Sequence, residues 1–195
     1  MNYFIVTYTG PFGFIKPWTA VRDSETFSQQ FLTPSIVEGM EKKLFPELLE
    51  KHGVHKIIGH RLSYKHITGH QEVIQTRGWN TVSAGTGLKK FDRPTSIIER
   101  GIMHEPVLHL AFVSLEDANI AAQQHLCLAR NEDVLLPVSV NKTTKDSFEQ
   151  DGELYPGYEL VFEKNEQSFL VGYHRVSKEP MFGWIRIVGE PVTQY

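Results

Sequence analysis

A chain of 195 residues with 41% hydrophobic side chains is long enough to form one domain with a sizeable core. It has no run of about 18 apolar residues, which excludes a transmembrane helix, so we expect no membrane partner. Its single cysteine, Cys127, excludes internal disulfides and a cysteine-rich zinc site, and it fits a reducing, cytoplasmic location.

Charge is distributed unevenly along the chain. The net charge of −3 does not by itself indicate a protein that binds nucleic acid. Residues 51–100, however, carry nine basic and three acidic side chains, a net charge of +6, whereas residues 1–50 have −2 and residues 101–195 have −7. Five of the nine histidines lie in the same middle segment. This pattern predicts a local surface for a polyanion, with a solvated charged face as the alternative.

The chain opens with an alternating strand, NYFIVTY, and a loop rich in glycine, proline and aromatic residues. A helix is predicted over about 34–50, with the Thr33 hydroxyl capping its first turn and Pro34 at the first helical position. Gly39 costs about 1 kcal/mol relative to alanine in a helix, which suggests a close approach of backbone or ligand. The free N–H groups of residues 33–36 suit an anion such as a phosphate, although an ordinary cap is the commoner use of such a turn.

The basic middle of the chain predicts a β-hairpin and then a flexible loop. The segments VHKIIGHRLSYKHI and QEVIQTRGWNTV flank a turn at Thr68, Gly69 and His70. Residues 83–94, SAGTGLKKFDRP, are flexible by composition, and SIIERGIM is a further strand.

The second half predicts a strand, a helix and then several strands. PVLHLAFV is a strand, after which Ser114 caps a helix that runs to Ala129, with Asp117 at the capping-box position and Cys127 as a buried thiol. VLLPVSV is a short strand, residues 141–157 are a polar loop, and YELVFEK, QSFLVGYHRV and MFGWIRIVG are three strands. The two strand–helix–strand halves predict an α+β fold with a ferredoxin-like (RRM-like) core, a protruding β-hairpin thumb and extra C-terminal strands.

The common signatures of catalysis are absent from the sequence. There is no G-x-G-x-x-G after a strand, no Walker A motif and no G-x-S-x-G elbow. His66 and His70 are four residues apart, a spacing that suits a metal on a helix, but the strand-like flanks argue against a helix there. We therefore assign no catalytic residue, no metal and no cofactor.

Three short segments place a cation beside an aromatic ring: KPW at 16–18, YKH at 64–66 and RGW at 77–79. Bases stack on exposed rings, at about 1–3 kcal/mol per base, while lysine and arginine neutralise the phosphates between them. For any one of these rings, the alternative interpretation is an aromatic side chain packed in the core. Three such pairs, two of them in the +6 segment, indicate a nucleic-acid partner.

The order of several motifs resembles the Cas-five (RAMP superfamily) subunits of type I CRISPR Cascade surveillance complexes. Those begin with a strand, a Gly-Pro-aromatic loop and a P-T-P-S-like turn into a helix with a glycine, matched here at Gly10, Pro11, Phe14, Pro17, Thr33, Pro34, Ser35 and Gly39. CLARNEDVLLPVSV is similar to the family's L-G-R-x-E-D-L segment at Leu128, Arg130, Glu132 and Asp133, with Ala129 where the family has glycine. RPTSIIERGIMHEPVLHLAF resembles the family's segment that leads into a later strand. Together the matches follow the family's order and cover about three quarters of the chain.

The resemblance implies a noncatalytic antiviral-defence subunit that grips the five-prime handle of the guide RNA and caps the Cascade backbone. Its partners would be the guide RNA, the backbone and large subunits and, indirectly, target DNA. One RAMP-type domain would span 1–195, with the thumb at about 60–93. The implied RNA-binding residues are Lys16, Arg22, Lys65, Arg77, Lys89, Lys90 and Arg93 for phosphates, Trp18, Tyr64 and Trp79 for bases, and Ser35 and His66 besides.

Two alternatives stay open. The first is a metal-independent endoribonuclease that processes precursor guide RNA, because one branch of the family resembles this and Tyr64, Lys65 and His66 supply its side-chain types. Adjacent strand residues point to alternate faces, which argues against their convergence. The second is a ferredoxin-like protein with no nucleic-acid partner, which salt-sensitive RNA binding would exclude.

Overall fold

Eight strands pair side by side in the sheet that organises the fold. The computed structural model describes residues 1–17, 24–76, 78–84, 88–174 and 177–193, of which 82–84, 88 and 89 are described by their backbone alone. The strands are β1 (Asn2–Thr9), β2 (Phe12–Gly13), β3 (Glu25–Phe27), β4 (Gly59–Ser63), β5 (His66–Gln75), β6 (Asn80–Ala84), β7 (Leu88–Asp92), β8 (Thr95–His104), β9 (Val107–Phe112), β10 (Leu126–Cys127), β11 (Val134–Thr144), β12 (Gly157–Val161), β13 (Phe169–Tyr173) and β14 (Pro180–Val188). The helices are α1 (Pro34–Leu44), α2 (Leu115–Ala121) and α3 (Lys145–Gln150), and a 3₁₀ turn covers Pro46–Leu48. None of these described helices is long and apolar enough to span a bilayer.

The main sheet has the strand order β10-β11-β1-β9-β4-β12-β14-β13, with every neighbouring pair antiparallel. In a second sheet, β8 pairs with β5 along one edge and with β2 and β3 along the other. Strands β6 and β7 form a two-stranded hairpin. The chain is therefore a sheet-rich α+β fold.

Side chains are buried on both faces of the main sheet. Because side chains alternate along a strand, Val6 and Tyr8 of β1 lie on one face, where they join the core beneath α1 and α2. Ile5 lies on the other face, in a smaller core with Ala111 and with Phe148 of α3. The central strands are thus covered from both sides, which fixes the frame that carries the surface sites.

Helix α1 is shorter than the predicted 34–50. It ends at Leu44 because Pro46 has no N–H to donate, and Phe45 before it adopts φ −131° and ψ 80°. Thr33 occupies the N-cap position, but its hydroxyl pairs with the Ser35 hydroxyl at 3.0 Å instead of accepting a backbone N–H, so the predicted cap bond is wrong. Among the described residues, a Cβ added at Gly39 would meet no atom within 4 Å, which removes the predicted close approach.

The predicted turn at Thr68–His70 is wrong, since β5 runs without a break from His66 to Gln75. Gly69 pairs across the ribbon with Gly101, and a Cβ at Gly69 would overlap the Glu99 side chain. Gly69 is therefore a strand residue that lies beside the carboxylate of Glu99, and it does not form a turn. The predicted flexible segment is also wrong over residues 88–92, which form β7.

The second half confirms three predictions and corrects others. The Ser114 hydroxyl accepts the Asp117 N–H at 3.3 Å at the start of α2, and the predicted strand before it and the three C-terminal strands are present. Helix α2 ends at Ala121, because the chain then turns to pair with β11. Cys127 therefore lies in β10 and not in a helix, and it is partly exposed and not the buried thiol that was predicted. The first part of the predicted polar loop at residues 141–157 is regular structure, because β11 continues to Thr144 and α3 follows it.

Candidate nucleic-acid interface

Strands β5 and β8 and the β6–β7 hairpin between them, residues 66–104, form a ribbon that we term the arm. At the point where the hairpin joins the ribbon, the Thr76 N–H donates to the carbonyl of Pro94 at 2.9 Å. Arg93 donates from Nε to the carbonyl of Thr76 at 2.7 Å. These bonds hold the base of the hairpin on the end of β5.

One face of the hairpin presents two exposed aromatic rings and a cation. Trp79 and Phe91 are each 63% exposed, and the guanidinium of Arg93 lies 5.6 Å from the centre of the Trp79 ring. Thr81 pairs with Phe91 in the register, so Trp79, Phe91 and Arg93 share a face because side chains alternate along each strand. Exposed rings beside a guanidinium are the combination on which single-stranded bases stack.

The other predicted cations of the hairpin are not all on that face. Lys90 is exposed, but it is the neighbour of Phe91 in β7 and therefore points to the opposite face. The side chain of Lys89 lies outside the described part of the chain. The two hairpin cations whose side chains are described, Lys90 and Arg93, thus lie on opposite faces of the hairpin.

Tyr64, Lys65 and His66 have three different surroundings. Tyr64 is 4% exposed and its ring stacks on Tyr158 at 6.5 Å between centroids, so its predicted contact with a base is wrong. Lys65 pairs with Glu105 at 2.8 Å, with 42% of its side chain exposed. His66 stacks on His104 at 4.7 Å. The three side chains do not converge on one reacting position.

A histidine cluster at the root of the arm was not predicted as such. The Thr68 hydroxyl lies 2.7 Å from Nε2 of His104 and 3.1 Å from Nε2 of His70, and these two nitrogens are 3.3 Å apart. Burial lowers the pKa of His104, and the nearby His66 and His70 lower it further. Within the described ranges, no group of three or more His, Cys, Asp or Glu side chains has the geometry to hold a metal ion. His104 comes from β8, so only the strand pairing brings it to the other two.

Lys16 and Ser35, two of the predicted residues, line the same groove. It has a volume of about 910 Å³ and lies between the first turn of α1 and the segment entering β4 on one side and strands β12 to β14 on the other. Lys16 and Ser35 are both exposed. Apart from the buried Tyr64, the predicted residues that the structure describes therefore fall at three places: the groove, the root of the arm and the hairpin.

Three predicted residues, Trp18, Arg22 and Arg77, lie outside the described residues. Two cation–aromatic pairs in the C-terminal strands were missed: Arg186 lies 5.4 Å from the Trp184 ring and Lys164 lies 4.9 Å from the Phe182 ring. The alternation in MFGWIRIV was the available signal, since it places Phe182, Trp184 and Arg186 on one face.

No family model matches the chain, and no curated protein matches it. Fourteen chains of solved structures do match. One of them, described as "CRISPR RNA-guided surveillance complex", aligns over 97% of this chain and 90% of its own length, with a TM-score of 0.52 and 15% sequence identity. Since the identity is this low, the likeness establishes that the two chains share a fold.

Proposed function

We propose that the chain is a noncatalytic RNA-binding subunit of the Cas-five (RAMP) kind in a type I CRISPR surveillance complex. There it grips the five-prime handle of the guide RNA and caps the complex backbone. The observation that carries the proposal is the fold likeness over 97% of the chain to a chain of a CRISPR RNA-guided surveillance complex. The order of the sequence motifs at residues 10–39 and 127–140 also supports it.

A ferredoxin-like core is part of the proposal. Four strands lie side by side in the order β11-β1-β9-β4, all antiparallel. Helix α1 lies in the connection from β1 to β4, and α2 lies in the connection from β9 to β11. This order of elements supports a β-α-β-β-α-β core, with β12 to β14 as additional strands at one edge.

The arm is the proposed RNA-contacting thumb, at residues 66–104 instead of about 60–93, since β4 belongs to the main sheet. The exposed Trp79–Phe91–Arg93 face supports this role. A base stacking on either ring needs no change in the core, because both rings are already 63% exposed.

The decisive experiment expresses the chain with the CRISPR subunits encoded beside its gene and with their guide RNA. We expect the chain to co-purify in a complex that contains guide RNA, and omission of the chain to leave the five-prime handle open to nuclease. Assembly of a fully protected complex without this chain would overturn the proposal. In parallel, the absence of salt-sensitive RNA binding by the isolated chain would favour a protein with no nucleic-acid partner.

The endoribonuclease alternative stays open, although Tyr64 is buried and Lys65 is paired with Glu105. It is tested by incubating precursor guide RNA with the isolated protein in a chelator. Cleavage that disappears in a His66→Ala variant would support this alternative and contradict the noncatalytic proposal.

A further inference from the structure

The groove beside α1 has the dimensions of a ligand site. Its volume of about 910 Å³ is at the upper end of the range of about 300–1,000 Å³ that small-molecule sites occupy. Its walls are mainly aliphatic, with two aromatic rings and with polar groups from Lys16, Thr33, Ser35, Glu38, His52, His60, Glu159 and His174. This composition suits a ligand with a flat apolar part and one polar end.

One end of the groove favours an anion. Lys16 is exposed, and no hydrogen bond or ion pair to it is found among the described residues. The groove's carboxylates are each held by a cation: Glu38 pairs with Lys42 at 2.8 Å, and Glu159 pairs with Arg186 at 3.3 Å. The N-terminus of α1, an eleven-residue helix, adds its partial positive charge beside Ser35. The charge left uncompensated in the groove is therefore positive.

A buried imidazole supplies the second, independent feature. His60 lines the groove and is 7% exposed, and its Nε2 has no hydrogen-bond partner among the described residues. Burial lowers the pKa of His60 to about 3, so the ring is neutral near pH 7 and acts there as a hydrogen-bonding group. A buried polar atom without a partner is unusual in a folded protein, so His60 brings an unused hydrogen-bonding group to the wall of the groove.

Two aromatic rings stand at the wall formed by the C-terminal strands. Tyr173 is 63% exposed and Phe162 is 46% exposed, and both line the groove. Exposed rings of this kind offer their faces to a planar ligand.

We propose that this groove binds one nucleotide unit, with its phosphate at Lys16 and the first turn of α1 and its base against Tyr173 and Phe162 beside His60. The inference rests on the proposed RNA-binding function and deepens it by naming a second contact site, separate from the arm. The same chemistry is offered by one nucleotide of a bound RNA strand and by a free mononucleotide. The structure favours the strand, because the chain carries a second stacking surface on the hairpin, at Trp79 and Phe91.

The test uses three ligands and three variants. Binding to the full chain is measured by calorimetry for a single-stranded RNA of handle length, for each of the four nucleoside monophosphates and for inorganic phosphate. Lys16→Ala and Tyr173→Ala remove exposed side chains, so their folding should survive, and Lys142→Ala removes an exposed lysine of β11 as the matched control. Loss of one stacked base corresponds to a weakening of about fivefold or more. We expect that weakening of RNA binding for Tyr173→Ala, weaker RNA binding with a smaller salt dependence for Lys16→Ala, and no change for the control.

Photochemical cross-linking of the bound RNA locates the contact. Cross-links on the peptide that contains Tyr173, lost in Tyr173→Ala, support the inference. RNA binding that is equal in all three variants would overturn it and leave the proposed function standing. Mononucleotide binding without RNA binding would leave the groove as a nucleotide site and overturn the proposed RNA-binding function. Equal binding of nucleotides and inorganic phosphate would overturn the base-binding part, since the groove would then recognise only an anion.

Discussion

Arg130 donates from Nη1 to the carboxylate of Glu72 at 3.1 Å and so ties the loop before β11 to strand β5 of the arm. The same guanidinium donates to both carboxylate oxygens of Asp133, at 2.8 and 3.0 Å, and lies 5.2 Å from the ring of Phe14. Asp133 is 0% exposed. Arg130, part of the segment that resembles a family motif, therefore compensates a buried carboxylate and anchors the arm at the same time.

The first prediction is that Arg130→Ala destabilises the fold by about 3 kcal/mol, because it leaves the buried Asp133 carboxylate without its cation. The free energy of unfolding is measured by urea titration at pH 7. Arg130→Lys should recover only part of the loss, since an ammonium cannot bind a carboxylate through two parallel N–H groups.

Lys142→Ala serves as the control for Arg130→Ala, because it removes an exposed cation and should change stability by no more than about 0.5 kcal/mol. A loss below about 1 kcal/mol for Arg130→Ala would contradict the role given to this residue.

The second prediction concerns Trp79, whose ring is 63% exposed. Trp79→Ala should change the free energy of unfolding by no more than about 0.5 kcal/mol, since little of the ring packs against the core. It should weaken binding of guide-handle RNA by about 1–3 kcal/mol, the usual contribution of a stacked base. A thermal melt and an RNA titration of one purified variant give both quantities.

Trp184 provides a matched comparison, because its ring is half-buried and its Nε1 is buried in the C-terminal part of the main sheet. Trp184→Ala should lower stability more than Trp79→Ala does. If Trp79→Ala lowers stability by several kcal/mol and leaves the affinity of the folded protein unchanged, the ring is not the RNA contact.

The third prediction separates two cations of the hairpin by face. Arg93 lies beside Trp79 on the exposed aromatic face, whereas Lys90 points the other way. Each phosphate neutralised on a single strand contributes about −0.7 to the slope of log affinity against log salt. Arg93→Ala should therefore reduce the magnitude of the slope by about 0.7, and Lys90→Ala should leave it nearly unchanged. Equal effects of the two substitutions would show that RNA does not select this face.

Local patterns predicted the elements whose partners lie nearby in the sequence. Capping residues and alternation are properties of a few consecutive residues. They were therefore enough to predict the start of α1 at Thr33–Pro34, the Ser114 cap of α2 and the C-terminal strands. The strand through Gly69 was missed because glycine usually marks a turn, and here Gly69 lies within a strand beside the carboxylate of Glu99 on the partner strand.

The residues of the candidate site are likewise brought together by pairing between strands that are distant in the sequence. The exposure of Trp79 was predicted from its place beside a glycine-rich segment, but its association with Phe91 follows only from the register of β6 and β7. His60 was not selected, since nothing local distinguishes a histidine with an unpaired Nε2 from one that is bonded. Tyr64 was selected wrongly, because a cation at the next position says nothing about burial of the ring.

The last prediction concerns the pH dependence of stability. His60 and His109 are 7% and 6% exposed, and burial lowers the pKa of His60 to about 3 and that of His109 to about 4 from 6.5. Between about pH 6.5 and 4 the unfolded chain therefore binds protons that the folded protein does not bind, so stability is present above pH 6.5 and is lost as the pH falls. Each histidine adds up to about 1.4 kcal/mol per pH unit to this loss.

Urea titrations at half-unit intervals from pH 7 to pH 4.5 measure the slope of stability against pH. His109→Gln should reduce the slope by about 1.4 kcal/mol per pH unit below pH 6, and its amide retains a partner for the Thr7 hydroxyl, which lies 3.0 Å from Nδ1 of the histidine. Carboxylates titrate alike in the wild-type and variant proteins, so the difference between the two slopes isolates the histidine. An unchanged slope would mean that His109 gains its proton in the folded protein as readily as in the unfolded chain, in contradiction to its burial beside β1.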